Sequence, residues 1–147
     1  MKITLQKQPT ADTCVSACLA MLTGAQVSDV IDEFHDDFTN VKTSPVVYLK
    51  DKLKDNPTTF AYSPKCYPVS PLEPNKIYLL TVPSCNERNL FHSVVVDTRE
   101  VNDLPSAICY DPSQGCIYKT AMEYDGEPGT TQLRTWFIDV IIDTGGF

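Results

Sequence analysis

The chain has 147 residues, of which 42% are hydrophobic, and its 12 basic and 19 acidic side chains give a formal net charge of −7. This length and apolar content suit one domain with its own core, so a single domain over residues 1–147 is predicted. The acidic charge argues against a nucleic-acid partner, because binding to phosphate backbones depends on clustered Lys and Arg.

The N-terminal sequence leads directly into mixed polar residues, and no apolar run is long enough to span a bilayer. We therefore expect no membrane partner and a cytoplasmic location. The six cysteines are then expected to be free thiols rather than a disulfide framework. Because no Cys-x-x-Cys pair is present, neither a metal site nor a cofactor is predicted.

The first half of the chain has helical periodicity. A first helix is predicted from about Asp12 to Thr23, with Gly24 as its stop. Two shorter helices are predicted, one around Val30 to Phe34 and one after the Ser44-Pro45 pair. These elements form a helical lobe over about residues 1–56.

The second half of the chain has the pattern of a sheet. It follows a proline-punctuated stretch that predicts a division into two lobes: Pro64, Pro68, Pro71 and Pro74. Runs rich in β-branched and aromatic residues then predict five strands: Ile77–Val82, Phe91–Asp97, Ala107–Tyr110, Cys116–Lys119 and Thr135–Ile142. A mostly antiparallel β lobe over about 57–147 completes an α+β fold.

Cys14 lies in the first turn of the predicted first helix, which we expect Asp12 to cap. The positive end of a helix and a nearby imidazolium both favour a thiolate, so Cys14 is a candidate nucleophile. Position alone favours the alternative, in which Cys14 is a small buried residue of the core.

The chain has two histidines, and their surroundings differ. His92 opens the strand Phe91–Asp97, where alternation can hold one side chain at a cleft, and it is the candidate general base. His35 lies among acidic residues and is assigned to an exposed helix end.

Asp111 follows the strand Ala107–Tyr110 and precedes a proline. A carboxylate at the end of a neighbouring strand can accept the other N–H of the His92 imidazole and orient the ring. An aspartate that only starts a turn is the alternative.

Three segments together resemble one family. The segment QPTADTCVSACLAML, from Gln8 to Leu22, resembles the catalytic helix of papain-like cysteine peptidases that remove double-glycine leaders from secreted bacterial peptides, the bacteriocin-processing peptidases. The run ACLAML is its most specific part. The segments FHSVVV (91–96) and YDPSQG (110–115) are similar to the family's histidine strand and to its Asp-Pro turn. Order and spacing agree over nearly the whole chain.

The resemblance implies a papain-like fold, in which a helical lobe carrying Cys14 packs on an antiparallel sheet carrying His92 and Asp111. It implies a cysteine peptidase, or a related thiol acyl hydrolase, acting on a peptide or protein substrate in the cleft between the lobes. In the family, a glutamine six residues before the cysteine donates to the oxyanion, and Gln8 stands at that offset. The backbone N–H of Cys14 would be the second donor.

Two departures from the family keep other functions open. Val15 stands where the family commonly has glycine, and family members are usually fused to membrane transporters, whereas this chain is expected to be a stand-alone domain. A catalytically inactive papain-like module that captures a peptide or protein is the main alternative. A redox protein with a Cys14–Cys18 bond is a third. Deamidase, transglutaminase and isopeptidase activities use the same thiol and imidazole groups, so the sequence does not separate them from a peptidase. It also does not predict an oligomeric state.

Four further features carry weaker expectations. Cys18 is assigned to the core. Cys109 and Cys116 flank the Asp111 turn, where a pair across a hairpin is conceivable, and both are assigned as packing thiols. Phe137, together with Trp136, is assigned to sheet packing. The Gly145-Gly146 pair near the C-terminus is read as flexible backbone rather than a cleavage site.

Overall fold

The helices occupy the N-terminal part of the chain. The structure is a computed structural model that describes residues 2–54, 59–61, 72–83, 91–99, 108–113, 116–118 and 137–143. Its helical elements, in chain order, are α1 (Cys14–Thr23), α2 (Val27–Val30), a π-helical turn (Ile31–His35), α3 (Asp36–Thr39) and α4 (Pro45–Lys52).

The sheet follows the helices in the sequence. Its strands are β1 (Thr59–Ala61), β2 (Lys76–Pro83), β3 (Phe91–Asp97), β4 (Ile108–Asp111), β5 (Cys116–Tyr118) and β6 (Phe137–Asp143). They lie in the order β1-β6-β2-β3-β4-β5, and every described pairing is antiparallel. The predicted α+β class and antiparallel sheet are confirmed, and β1 is an additional strand.

The start of α1 differs from the prediction. The helix begins at Cys14, with Thr13 as its N-cap residue and without a side-chain capping bond. Asp12 does not cap the helix, because its carboxylate accepts a hydrogen bond from the hydroxyl of Thr10 at 2.7 Å. Cys14 is therefore the first residue of the helix. A backbone N–H at this end has no carbonyl acceptor within the helix, because no earlier turn precedes it.

The end of α1 is the predicted one. Gly24 has a φ of +75°, and its N–H donates to the carbonyl of Ala20. This left-handed conformation strains any residue with a Cβ atom, although a Cβ at this position would meet nothing within 4 Å.

Substitution of Gly24 should therefore test backbone strain alone. We expect Gly24→Ala to lower the free energy of unfolding by about 1 kcal/mol, measured by urea denaturation. Gly24→Asn is the matched control and should cost less, because asparagine tolerates the left-handed region better than alanine. Equal losses in the two variants would contradict this explanation.

Side-chain alternation along the strands produces a cluster of buried residues on each face of the sheet. The cluster on the helical face packs α1, α2, the π-helical turn and α4 against Ile77 and Leu79 of β2 and Val95 of β3. The cluster on the opposite face includes Leu80 and Val94. Residues 16–22 of α1 are all buried. The Cys14 end of α1 is thereby held beside the strand that begins with Phe91 and His92.

Among the residues that the structure describes, no single helix is long and apolar enough to cross a membrane. The α1 helix and the segment Val27–Thr39 reach that length and hydropathy only when taken together, and they are bent by 117° to each other.

Candidate active site

His92 and Asp111 meet just beyond the described pairing of β3 with β4. That ladder runs from Val95 opposite Tyr110 to Asp97 opposite Ile108. The His92 Nε2 atom lies 2.7 Å from Asp111 Oδ1, and Asp111 is only 2% exposed. The structure thus brings together the two residues that the sequence predicts as base and orienting carboxylate.

Asp111 also organises the turn that follows it. Its Oδ1 accepts hydrogen bonds from the backbone N–H of Ser113 at 2.9 Å and from the Ser113 hydroxyl at 3.0 Å. The next carbonyl, that of Pro112, accepts the backbone N–H of Gln8 at 2.9 Å. Asp111 therefore both contacts the His92 imidazole and starts a turn, the two possibilities considered from the sequence. Through the Pro112 carbonyl, this turn also anchors the segment that leads to Cys14.

Cys14 completes the arrangement from the helical side. Its partly exposed side chain lies beside His92 and Ser93 of β3, close enough for both residues to influence the pKa of the thiol. Because Asp111 occupies Nε2 of His92, Nδ1 is the ring nitrogen left to face the sulfur. The predicted order nucleophile, histidine and carboxylate is present in space.

These contacts shift the pKa values of Cys14 and His92 in opposite directions. Burial alone raises the pKa of Cys14, but the hydrogen bonds from His92 and Ser93 outweigh burial and bring it below its usual value. Burial alone lowers the pKa of His92, but the hydrogen bonds with Asp111 and Cys14 raise it to about 9. Both shifts favour the charged forms of the pair, the Cys14 thiolate and the His92 imidazolium.

The other two described thiols are unsuited to such chemistry. Cys18 and Cys109 are free and fully buried, and burial raises the pKa of each. The assignment of Cys18 to the core is confirmed. The assignment of Cys109 as a packing thiol is also confirmed, because it is free and buried, and its partner across the β4–β5 ladder is Tyr118 rather than Cys116.

Gln8, predicted to donate to an oxyanion, is engaged elsewhere. Its Nε2 donates to the backbone carbonyls of Thr10 at 2.9 Å and Ala11 at 3.3 Å. Its Oε1 is buried and has no hydrogen-bond partner. Both amide protons are thus directed to the chain just before α1, and the oxyanion role of Gln8 stays a prediction.

Two further residues lie near the start of α1. Val15, which stands where the resembled family commonly has glycine, packs against the hydrophobic cluster on the helical face of the sheet. The assignment of His35 to an exposed surface is wrong, since its side chain is only 16% exposed. His35 lies with its Nε2 3.5 Å from the carboxylate of Asp12, a residue from the segment before α1.

An aromatic pair lies at the start of β3. The exposed ring of Phe91 packs edge-on against Phe137 of β6, with centroids 6.0 Å apart. The prediction that Phe137 packs on the sheet is confirmed. Trp136 and the Gly145-Gly146 pair lie outside the described residues.

Among the described residues, Ser93 also lies near the nucleophile and helps to lower its pKa, although the sequence did not predict it. Its residue type was the available signal, because a polar serine stands directly before three consecutive valines in a buried part of β3. Buried serine in such a strand points to a specific hydrogen-bond partner.

Comparison with known proteins identifies no relative. No protein-family model matches the chain, and a search of curated proteins finds no significant match. Within the described parts of the chain, no group of three or more His, Cys, Asp or Glu residues is arranged to hold a metal ion. The chemistry of the site must therefore be inferred from its own residues.

Proposed function

We propose that the chain is a papain-like cysteine peptidase, or a related thiol acyl hydrolase, that acts on a peptide or protein substrate. The observation that carries this proposal is the placement of three residues: partly exposed Cys14, the first residue of α1, lies beside His92, and His92 is hydrogen-bonded to buried Asp111. A helix carrying the nucleophile and packed on an antiparallel sheet carrying the other two residues is the arrangement expected of a papain-like fold. The peptide or protein class of substrate rests on the sequence resemblance.

The proposed reaction has two steps. The Cys14 thiolate attacks the substrate carbonyl carbon, and the carbonyl oxygen becomes an oxyanion, for which the Cys14 N–H at the helix start is a donor. The His92 imidazolium then gives its proton to the leaving amine, the carbon–nitrogen bond breaks and a thioester remains. In the second step His92 takes a proton from water, the resulting hydroxide attacks the thioester, and the carboxylic acid and thiolate are released.

One observation favours the alternative, an inactive module that captures a peptide or protein. Both amide protons of Gln8 are held by the Thr10 and Ala11 carbonyls, so the second oxyanion donor is not available in this arrangement. Removal of one oxyanion donor lowers kcat by about 10²–10³-fold in a serine protease, which is enough to separate a slow enzyme from an efficient one.

A reactive ester tests the proposal without knowledge of the natural substrate. With p-nitrophenyl acetate, we expect a burst of nitrophenolate close to one equivalent per protein, followed by slower turnover. Mass spectrometry of the acid-quenched protein should find the acetyl group on Cys14, because Cys14 combines partial exposure with a lowered pKa.

Two variants in the same helix control the experiment. Cys14→Ala should abolish the burst, whereas Cys18→Ala, which removes a buried thiol one turn later in α1, should retain it. A wild-type protein with no burst above the Cys14→Ala background would overturn the hydrolase proposal in favour of the binding module.

A further inference from the structure

A bulge in β6 sets Asp139 apart from the other residues of its strand. The register between β2 and β6 shifts between Leu79 and Leu80, and Asp139 is the residue of β6 that has no partner across this ladder. A bulge re-aims a side chain, and bulges are common beside active sites. Here the Asp139 carboxylate turns to the neighbouring strand, where its Oδ2 accepts a hydrogen bond from the hydroxyl of Thr81 at 2.5 Å.

The contact with Thr81 places this carboxylate on the face of the sheet that carries the helices. Leu79, two residues before Thr81, belongs to the buried cluster on the helical face, and side chains two residues apart in a strand point to the same face. Thr81 lies opposite Ser93, the residue after His92. The carboxylate therefore lies on the side of β3 on which α1 packs, two strand spacings, or about 10 Å, from that strand.

The aromatic pair of Phe91 and Phe137 lies on the same face, next to this carboxylate. Phe91 stands two residues before Ser93, and its ring meets Phe137 across β2, with centroids 6.0 Å apart. Phe91 is 65% exposed, and Phe137, Thr81 and Asp139 are each partly exposed. Aromatic rings pack well against the aliphatic stem of a long side chain and attract a cation to their faces.

Asp139 has no cationic partner within the described part of the chain, where Thr81 is its one hydrogen-bond donor. The hydrogen bond from Thr81 lowers the pKa of Asp139, but burial outweighs it and raises the pKa above its usual value. A carboxylate that is partly removed from water and bonded to one neutral hydroxyl is less stable than one paired with a cation. A cation from outside the protein would therefore stabilise it.

We propose that Asp139 selects substrates with a basic side chain close to the scissile bond. The ammonium or guanidinium group pairs with the Asp139 carboxylate, and the aliphatic stem lies on the rings of Phe91 and Phe137. The inference rests on the proposed thiol acyl transfer and adds a substrate class to it. A lysine carries its charge on a four-carbon stem, so a residue at or next to the reacting carbonyl can reach across β2. The net charge of −7 also favours the approach of a cationic substrate.

Four p-nitrophenyl esters test this inference. The esters of N-acetyl-lysine and N-acetyl-norleucine have the side chain on the residue that carries the reacting carbonyl, and the esters of N-acetyl-lysyl-glycine and N-acetyl-norleucyl-glycine have it one residue earlier. Norleucine has the same stem as lysine without the ammonium group. Release of nitrophenolate gives kcat/KM, and each value is divided by the rate of the same ester with mercaptoethanol to remove differences in intrinsic reactivity. We expect lysine to exceed norleucine by about tenfold or more in at least one pair, because hydrogen bonds between two charged groups are strong.

Two variants assign this preference to one carboxylate. Asp139→Asn removes the charge and keeps the shape of the side chain, so the ratio of lysine to norleucine rates should fall to near one. Asp97→Asn is the matched control, because Asp97 is a buried carboxylate of the same sheet that pairs with Arg99 at 2.8 Å. Its ratio should equal that of the wild-type protein. The wild-type ratio itself needs no variant, so the inference can fail even if Asp139→Asn does not fold.

The outcomes separate this inference from the proposed function. If none of the four esters releases nitrophenolate above the Cys14→Ala background, the proposed function itself fails. If the esters acylate Cys14 and both ratios are near one, the role of Asp139 is overturned while the thiol acyl transfer stands. If the wild-type ratio is high and Asp139→Asn retains it, another group selects the basic side chain and the assignment of Asp139 fails.

Discussion

Replacement of His92 by alanine should slow the alkylation of Cys14 at pH 6 by about tenfold. Without the imidazolium, the pKa of Cys14 moves back towards the ordinary value of a cysteine, and the thiolate fraction at pH 6 falls. A thiolate of higher pKa is intrinsically more nucleophilic, which offsets about half of this loss on a logarithmic scale. The rate is measured with limiting iodoacetamide, followed for each cysteine by peptide mass spectrometry.

The protein contains its own controls for this experiment. Cys18 and Cys109 are fully buried and should label only when the chain unfolds, so their rates report whether a variant retains its fold. His35→Ala removes the other histidine, whose Nε2 lies 3.5 Å from the Asp12 carboxylate, and should leave the Cys14 rate within about twofold.

Two results would contradict the expectation. If Cys14 of the wild-type protein is as slow as Cys18, no activated thiolate exists and the binding module becomes the better explanation. If His35→Ala and His92→Ala slow Cys14 equally, the effect does not come from a specific contact with His92.

The three central residues of the site were predictable because each role requires a particular residue type. Cys14 stands at a helix start, and of the two histidines only His92 opens a strand. Asp111 ends the next strand in sequence, and neighbouring antiparallel strands bring such ends together. The stop at Gly24 was predictable for a similar reason, since a left-handed backbone is a local requirement.

The residues that were missed depend on contacts between distant segments. The acidic neighbours of His35 suggest solvent, but the segment before α1 brings Asp12 beside its side chain. The capping role expected of Asp12 failed because the hydroxyl of Thr10 competes for the same carboxylate. The position of Ser93 near Cys14 depends on where α1 packs on the sheet. Residue spacing within one segment of the sequence does not indicate where two distant segments pack together.

Asp111→Asn should lower the pKa of His92 while keeping the size and shape of its partner. In the wild-type protein, the hydrogen bonds with Asp111 and Cys14 overcome the effect of burial and raise the pKa of His92 to about 9. Loss of the carboxylate charge removes one of the two groups that favour the imidazolium, and we expect the pKa to fall by about one unit or more.

The ratio of two alkylation rates measures this change directly. Iodoacetate is negatively charged and iodoacetamide is neutral, so the imidazolium beside Cys14 favours iodoacetate. In the wild-type protein the ratio of iodoacetate to iodoacetamide rates should stay high at neutral pH and fall as pH rises through about 9, where His92 loses its proton. In Asp111→Asn the same fall should occur at lower pH.

A second buried carboxylate supplies the control for this variant. Asp97 lies in the same strand as His92, but its carboxylate pairs with Arg99 at 2.8 Å. Asp97→Asn should lower the free energy of unfolding and leave the fall of the ratio near pH 9, because the imidazole keeps its own carboxylate. If Asp111→Asn also leaves the fall near pH 9, then Asp111 does not hold the proton on His92. The proposed triad would then reduce to a Cys14–His92 pair, with Asp111 acting only through its hydrogen bonds to Ser113 in the turn.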